Sequence, residues 1–336
     1  MRALVCLQPG KLLLEERPDP ARADADVLVA VRRVGICGTD YHIFEGTHPY
    51  LQYPRVMGHE LAVEVVEADA ASGLRPGTVC VVNPYLSCGH CVACRSGKPN
   101  CCVAIQVLGV HRDGGMTEFL SLPARNLLPA EDIGVEQSAA VEFLAIGAHA
   151  VRRAAVAPGD RVLVVGAGPI GLGAMMFAGI AGGQVAMLDL DPLRVEAARA
   201  LTGADALSAG SDTVAAAENY TDGDYFDVVL DATGSRGAME KGFDYVAHGG
   251  RYVLVSVVRD PITFADPDFH RKEMTLLASR NALTADFQHV MLSMRRGDID
   301  VSRLITHRTT LTGAANAIPT WATNKTGLVK AIIEVA

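Results

Sequence analysis

Four cysteines are concentrated in one short stretch of the chain. They are Cys88, Cys91, Cys94 and Cys102. Four thiolates in one lobe can close a tetrahedral zinc site with no open position, so we predict a structural zinc ion here, with Cys101 as a spare thiol. The C-x-x-C-x-x-C run also begins ferredoxin iron–sulfur motifs. In this chain, however, seven residues rather than three separate the third cysteine from the fourth. A zinc module that binds nucleic acid, or a set of ordinary buried cysteines, would also produce such a cluster.

Two upstream segments carry residues that could hold a second, reactive metal ion. The segment GICGTDYH contains Cys37, and the segment GHE contains His59. A catalytic zinc ion needs three protein ligands and an open position. Cys37 and His59 supply two of these ligands. The third is either Glu60 or Glu142.

An open zinc position would support the oxidation of an alcohol, which loses a proton and then a hydride. Zinc can lower the pKa of bound water from 15.7 to about 7, and a bound alcohol would gain acidity in the same way. Thr39 is placed to take the proton from the alcohol, and His42 to pass it to solvent. Glu60 is a further candidate member of this catalytic group. Asp40 could orient the ring of His59.

A glycine-rich loop predicts a dinucleotide site. Its residues are Gly166, Gly168, Pro169, Ile170 and Gly171, which form a G-x-G-x-x-G motif between a buried strand and a helix. Glycines let the backbone approach a pyrophosphate at the helix N-terminus. Asp189 follows at the end of the next strand, where its carboxylate would accept hydrogen bonds from the ribose and repel a 2′-phosphate. We therefore predict NAD rather than NADP, with Arg194 near the adenosine ribose. The alternative is a glycine-rich helix start without a ligand.

Composition and charge exclude several classes of partner. The 336 residues are 49% apolar and 20% charged with a net charge of −8, which predicts an acidic globular protein of about two domains. Such a balance argues against duplex nucleic acid and against anionic membranes as partners. We see neither a signal peptide nor a membrane-spanning segment and expect a cytoplasmic, reducing compartment, in which cysteines serve as thiolates or metal ligands.

The hydrophobic pattern changes character near residue 145. Before it, short alternating strands such as 26–34 and 61–67 predict a β-rich region. After it, buried strands such as 161–166 alternate with helices, which predicts βαβ units and a parallel sheet. From about residue 284 the pattern is mixed again. We therefore predict an α/β protein in which a β-rich domain, 1–145 and 284–336, is interrupted by a parallel-sheet domain, 146–283.

These motifs together resemble the zinc-dependent medium-chain alcohol and polyol dehydrogenases over essentially the whole chain. GICGTDYH, GHE, the cysteine lobe, VVGAGPIGLG and LDLDPLR occur in the order of that family. The resemblance implies a GroES-like catalytic domain, a doubly wound Rossmann domain, a cleft between them, and a homodimer or homotetramer. Glu142 matches the place of a third cysteine ligand in classical alcohol dehydrogenases, as in the sorbitol and threonine dehydrogenase branch. That branch has proline after the glutamate, whereas this chain has Phe143.

Further segments resemble bacterial L-galactonate 5-dehydrogenases. They are THPYLQYPRVMGHE, NCC, GVHRDGG, HAVRRAAVAPG and DPDFHRKEMTLLASRNA. This resemblance implies NAD-linked oxidation of a hydroxyl on a polyol or sugar acid to a ketone, with His111 or Arg280 engaging a substrate carboxylate or hydroxyl. Either residue could instead make a purely structural surface contact. A threonine-like or simple-alcohol dehydrogenase and a non-catalytic NAD- or zinc-binding protein are the competing functions.

Overall fold

The chain folds into two compact units. The first comprises Met1–Glu142 and Leu283–Ala336, and the second comprises Phe143–Ala282. The computed structural model describes residues 1–48, 51–130, 132–210 and 212–335. Among the described helices, none combines the length and the apolar character needed to cross a membrane.

The first part of the first unit is built mainly of short strands. Its strands are β1 (Arg2–Gln8), β2 (Lys11–Glu16), β3 (Asp26–Ile36), β4 (Arg55–Val56), β5 (Glu60–Glu67), β6 (Val79–Val82), β7 (Tyr85–Leu86), β8 (Gln106–Val107), β9 (Phe119–Pro123) and β10 (Leu127–Pro129). Its helices are α1 (Gly38–Glu45), α2 (Val92–Arg95) and α3 (Gly134–Ser138), and α4 (Val141–Ala154) runs on into the second unit.

The second unit alternates strands with helices. Its strands are β11 (Arg161–Val165), β12 (Gln184–Leu188), β13 (Asp205–Ala206), β14 (Phe226–Asp231), β15 (Val246–Leu254) and β16 (Thr275–Ala278). Its helices are α5 (Pro169–Ile180), α6 (Pro192–Thr202), α7 (Thr213–Tyr220), α8 (Arg236–Lys241) and α9 (Asp266–Arg271). The chain then returns to the first unit through α10 (Thr284–Arg296), β17 (Ile305–Thr310), α11 (Ala314–Thr323) and β18 (Lys330–Glu334).

The largest sheet of the first unit pairs strands that are far apart in the sequence. Its strand order is β10-β6-β5-β3-β18-β17, and β9 also pairs with β3. The C-terminal strand β18 lies antiparallel to β3, with Ala331 opposite Ile36. A smaller sheet has the order β2-β1-β4. Apolar side chains from these strands, such as Val29, Val63 and Ile333, pack into one fully buried cluster that fixes the strand ends carrying the polar residues.

The sheet of the second unit is parallel throughout, in the order β13-β12-β11-β14-β15-β16. This is the strand order of a dinucleotide-binding Rossmann sheet. The central strand β11 has four successive buried residues after Arg161, as expected for a strand covered on both faces. The predicted fold class is therefore confirmed. The predicted strand 250–256 begins four residues too far along the chain, because β15 begins at Val246.

Candidate active site

Register in the large sheet brings the two predicted metal-binding segments together. Gly35 on β3 lies opposite Glu60, the first residue of β5. Cys37 follows β3 directly, and His59 precedes β5. A ligand atom of Cys37, one of His59 and one of Glu60 all lie within 4.8 Å of one another. Only glycine fits at position 35, because a Cβ there would lie 2.1 Å from Glu60 Oε2.

The carboxylate of Glu60 is held by a lysine from the far end of the chain. Lys330 Nζ donates to both Glu60 oxygens at 2.8 Å and to the Ile36 carbonyl at 3.1 Å. Both side chains are fully buried. No local motif points to Lys330, although a buried lysine followed by three buried apolar residues of β18 is unusual.

Glu142, the other predicted third ligand, has a different partner. Tyr85 donates its hydroxyl hydrogen to Glu142 Oε1, and both residues are buried. Glu142 is not among the residues whose ligand atoms lie within 4.8 Å of one another. Burial raises the pKa of Glu142 to about 7, and the nearby Glu60 adds to the effect. Tyr85 was also missed, because no local pattern links it to a residue 57 positions away.

Asp40 fixes the backbone on both sides of the trio. Its Oδ2 accepts a hydrogen bond from Cys37 N at 2.9 Å, and its Oδ1 accepts one from Gly58 N at 3.2 Å. The same Oδ1 lies 4.0 Å from His59 Nδ1. Asp40 therefore faces one ring nitrogen of His59 and leaves the other for a ligand.

The buried groups around His59 include more acidic than basic side chains. Three buried carboxylates, those of Asp40, Glu60 and Glu142, lie there with the Cys37 thiol, and Lys330 is the only buried lysine or arginine among the described residues. Burial raises the pKa of Asp40. Burial opposes a charge on His59, but Cys37 and the carboxylates outweigh it and raise its pKa well above the usual value. Sulfur, imidazole and carboxylate donors with excess negative charge fit a zinc ion.

The predicted proton relay lies on α1, next to the trio. Thr39 Oγ1 lies 3.8 Å from Cys37 Sγ. Because Thr39 and His42 are three residues apart on one helix, they share a face. The His42 ring lies 3.1 Å from Thr47 Oγ1, and 62% of its side chain is exposed. The helix therefore leads from the trio to solvent.

The four predicted thiols of the cysteine lobe also come together. The sulfur atoms of Cys88, Cys91, Cys94 and Cys102 all lie within 4.8 Å of one another. Backbone N–H groups of Cys94 and Val103 hydrogen-bond to Cys91 and lower its pKa to about 6, which favours a thiolate. Cys101 is exposed and lies outside the group. The arrangement fits a closed four-sulfur metal site.

A cysteine substitution tests the metal in this lobe. We expect Cys94→Ser to remove one metal ion per chain and to lower the unfolding temperature, by about 2–4 °C for each kcal/mol of metal-linked stability lost. Metal analysis and thermal denaturation measure both effects. Cys101→Ser is the matched control and should change neither. Equal metal content in the unaltered protein, Cys94→Ser and Cys101→Ser would rule out this site. An iron–sulfur absorbance band would show that the lobe holds an iron–sulfur cluster and not zinc.

The glycine-rich loop has the geometry of a phosphate cradle. Gly166 has φ +98°, and a Cβ on Gly171 would lie 1.8 Å from the Gly166 carbonyl oxygen, so both positions require glycine. A Cβ on Gly168 would meet nothing within 4 Å. Gly168 is the N-cap of α5, followed by Pro169 and Ile170 in its first turn. The free space beside the helix N-terminus fits the pyrophosphate of a dinucleotide.

Asp189 connects this loop to the next strand. Its Oδ2 accepts a hydrogen bond from Ala167 N at 2.7 Å, and its Oδ1 accepts one from Asp191 N at 2.9 Å. Arg194 Nε lies 3.6 Å from Asp191 Oδ2, and half of its side chain is exposed. Asp189 thus lies against the phosphate cradle, whereas Arg194 is at the surface of α6.

The two predicted substrate contacts lie in different units. His111 is exposed in the first unit, where its Nδ1 accepts a hydrogen bond from Val107 N at 3.1 Å. Arg280 is exposed in the second unit. Neither residue belongs to the trio or to the cysteine group.

Comparisons with known proteins agree with this architecture. Residues 23–132 match the model of the alcohol dehydrogenase GroES-like domain, and residues 169–296 match that of zinc-binding dehydrogenases. The chain is 41% identical to L-galactonate-5-dehydrogenase of Escherichia coli K12, over 99% of this chain and 98% of that protein. It is 31% identical to a sorbitol dehydrogenase of Halalkalibacterium halodurans, over 93% of each.

A solved structure shows the same fold. RspB of E. coli CFT073, described as an alcohol dehydrogenase complexed with NADH, superposes with a TM-score of 0.93 at 29% identity, over 100% of this chain and 99% of that one. The recognised resemblance to zinc-dependent medium-chain dehydrogenases is therefore confirmed. The chain belongs to the zinc-binding alcohol dehydrogenase family of oxidoreductases.

Proposed function

We propose that this protein oxidises a secondary hydroxyl of a polyol or sugar acid, of the L-galactonate type, to a ketone with NAD as the acceptor. The observation that carries the reaction class is the cluster of Cys37, His59 and Glu60 within 4.8 Å. The substrate class rests on the 41% identity to L-galactonate-5-dehydrogenase across the whole chain.

The trio would hold the zinc ion. Cys37 supplies sulfur, His59 supplies the ring nitrogen that faces away from Asp40, and Glu60 supplies a carboxylate oxygen. Each carboxylate oxygen has a second lone pair, so Glu60 can keep its hydrogen bonds to Lys330 while it binds a metal. Glu142 is the alternative ligand, and its Oε2 could bind a metal while Oε1 keeps the hydrogen bond from Tyr85. When bound, zinc supplies Lewis acidity that lowers the pKa of a substrate hydroxyl.

Residues of this chain then carry the proton of the substrate hydroxyl to solvent. Thr39 accepts the proton of the substrate hydroxyl and gives up its own to His42, which releases it to solvent through its exposed ring. The carbon that bears the hydroxyl would become a carbonyl carbon, and NAD held at the glycine-rich loop would supply the acceptor for the hydride that this carbon loses. The alcohol therefore loses one proton from its oxygen and one hydride from its carbon.

A substrate screen tests the proposed function. NADH release should be fastest with hexonates, slower with hexitols and pentitols, and negligible with ethanol or threonine. A chelator should abolish it in every case. Fastest turnover with threonine or a short alcohol would contradict the proposed substrate class. No turnover with any alcohol would indicate a non-catalytic binding protein.

Cofactor choice should depend on the charge of Asp189. We expect Asp189→Asn to lower kcat/KM with NAD about 10–100-fold, because a hydrogen bond to a charged group is lost, and to improve the use of NADP relative to NAD. Initial rates with both cofactors measure the ratio. Asp205→Asn, at an exposed aspartate of the same unit, is the control. An unchanged ratio of the NAD and NADP rates would show that Asp189 does not contact the ribose.

A further inference from the structure

A cavity of about 530 Å³ in the first unit lies outside the trio, the relay and the cysteine lobe, although one predicted substrate contact, His111, lines it. Its lining includes Arg17, Arg55, Arg112, Asp113 and Phe119, and none of the trio, the relay or the cysteine lobe. Its volume lies in the range of small-molecule sites, about 300–1,000 Å³.

The cavity is positively charged in a protein whose net charge is −8. Three guanidinium groups line it, and Asp113 is the single carboxylate among its described lining residues. Arg55 donates to Asp113 Oδ1 at 3.1 Å and Arg17 to Asp113 Oδ2 at 3.3 Å. Arg17 also donates to Glu15. Even with both carboxylates counted, one positive charge remains in excess.

Two of the arginines have donors to spare. Only 16% of the Arg55 side chain is exposed, and its Nε is buried without a hydrogen-bond partner. A buried donor without an acceptor costs about 1–3 kcal/mol. Arg112 is exposed, and no described residue forms a hydrogen bond or ion pair with its guanidinium. Arg55 also lines a second cavity, of about 370 Å³, with Gln52 and Gln106.

The remaining walls combine apolar surface with hydroxyl groups and the imidazole of His111. Leu86, Leu108 and Leu120 supply apolar surface, and Thr117 and Ser121 supply hydroxyl groups. A guanidinium group matches the two oxygens of a carboxylate or phosphate. Such walls suit an anion with a short organic body better than a bare ion.

We propose that this cavity binds a small organic oxyanion between Arg55 and Arg112, at a site separate from the zinc trio. Asp113 holds Arg55 in place through its side chain and also accepts a hydrogen bond from Val56 N at 3.1 Å. The anion accepts hydrogen bonds from Arg112, whose guanidinium has no partner among the described residues, and the excess positive charge of the lining attracts it. A carboxylate and a phosphate share this chemistry, and the experiment separates them.

Calorimetric titration without NAD, at constant ionic strength, tests the site with D-gluconate and inorganic phosphate as probes. We expect saturable binding of at least one probe, weakened about tenfold or more in Arg112→Gln and in Arg55→Gln. Binding of gluconate alone identifies a carboxylate site, and binding of phosphate alone identifies a phosphate site. Arg75→Gln, at an exposed arginine of the same unit, should bind as the unaltered protein does.

Two further measurements keep the proposal open to refutation. Arg112 is exposed and has no described partner, so Arg112→Gln should fold even if Arg55→Gln does not. Cys37→Ser should bind the probe with unchanged affinity, because the trio is not part of the cavity. No saturable binding of either probe, equal binding by Arg112→Gln, or loss of binding in Cys37→Ser would each overturn the proposal.

Discussion

Replacing Cys37 with serine is expected to abolish NAD-linked turnover while the protein remains folded. Cys37 offers the only sulfur in the trio with His59 and Glu60. The Lewis acidity of zinc is worth several kcal/mol at the transition state, and each 1.36 kcal/mol is tenfold in rate. We therefore expect kcat/KM to fall roughly a thousandfold or more, measured by NADH release with the best substrate of the screen.

The control for this loss is another cysteine of the same unit. Cys101→Ser removes an exposed thiol outside both metal groups and should keep full activity. Circular dichroism and the unfolding temperature of Cys37→Ser should stay close to those of the unaltered protein. Retention of more than about a tenth of the activity in Cys37→Ser would show that the trio does not carry the chemistry.

Removing the buried ammonium group of Lys330 should cause the largest loss of stability. When the trio holds no metal ion, Lys330→Met leaves the fully buried Glu60 carboxylate without its charged partner. Breaking a buried ion pair in this way costs about 3–5 kcal/mol. We expect a decrease of that size in the free energy of unfolding, measured by urea denaturation.

A double variant separates the ion pair from the packing of the lysine chain. In Lys330→Met/Glu60→Gln no charge is left unpaired, so the double variant should be more stable than the sum of the single losses predicts. Strict additivity would mean that Lys330 and Glu60 do not interact as the 2.8 Å contacts indicate. Activity should fall in both variants, since Glu60 belongs to the trio.

Local patterns were enough to predict the nucleotide-binding unit. Its signals lie within about 30 residues of one another, because strand β11, the glycine-rich loop, helix α5 and Asp189 follow in order along the chain. Glycine at 166 and 171 is required by backbone geometry. The cysteine lobe was equally accessible, since its ligands are close in sequence and their type is distinctive.

Long-range pairing is what the sequence could not supply. Lys330 is 270 residues from Glu60, and Tyr85 is 57 residues from Glu142. The first contact depends on the strand order of the large sheet and the second on how β7 and helix α4 come together, and no local periodicity predicts either. The choice between Glu60 and Glu142 was open for the same reason. Our proposal uses Glu60 because its carboxylate lies within 4.8 Å of the ligand atoms of Cys37 and His59.

The zinc content of the purified chain tests the central claim most directly. Mass spectrometric metal analysis of the unaltered protein should give two zinc ions per chain. Cys37→Ser should lose one of them and Cys94→Ser the other, so that each variant retains a single ion. A single ion in the unaltered protein, lost in Cys94→Ser and kept in Cys37→Ser, would contradict a metal site at Cys37 and His59.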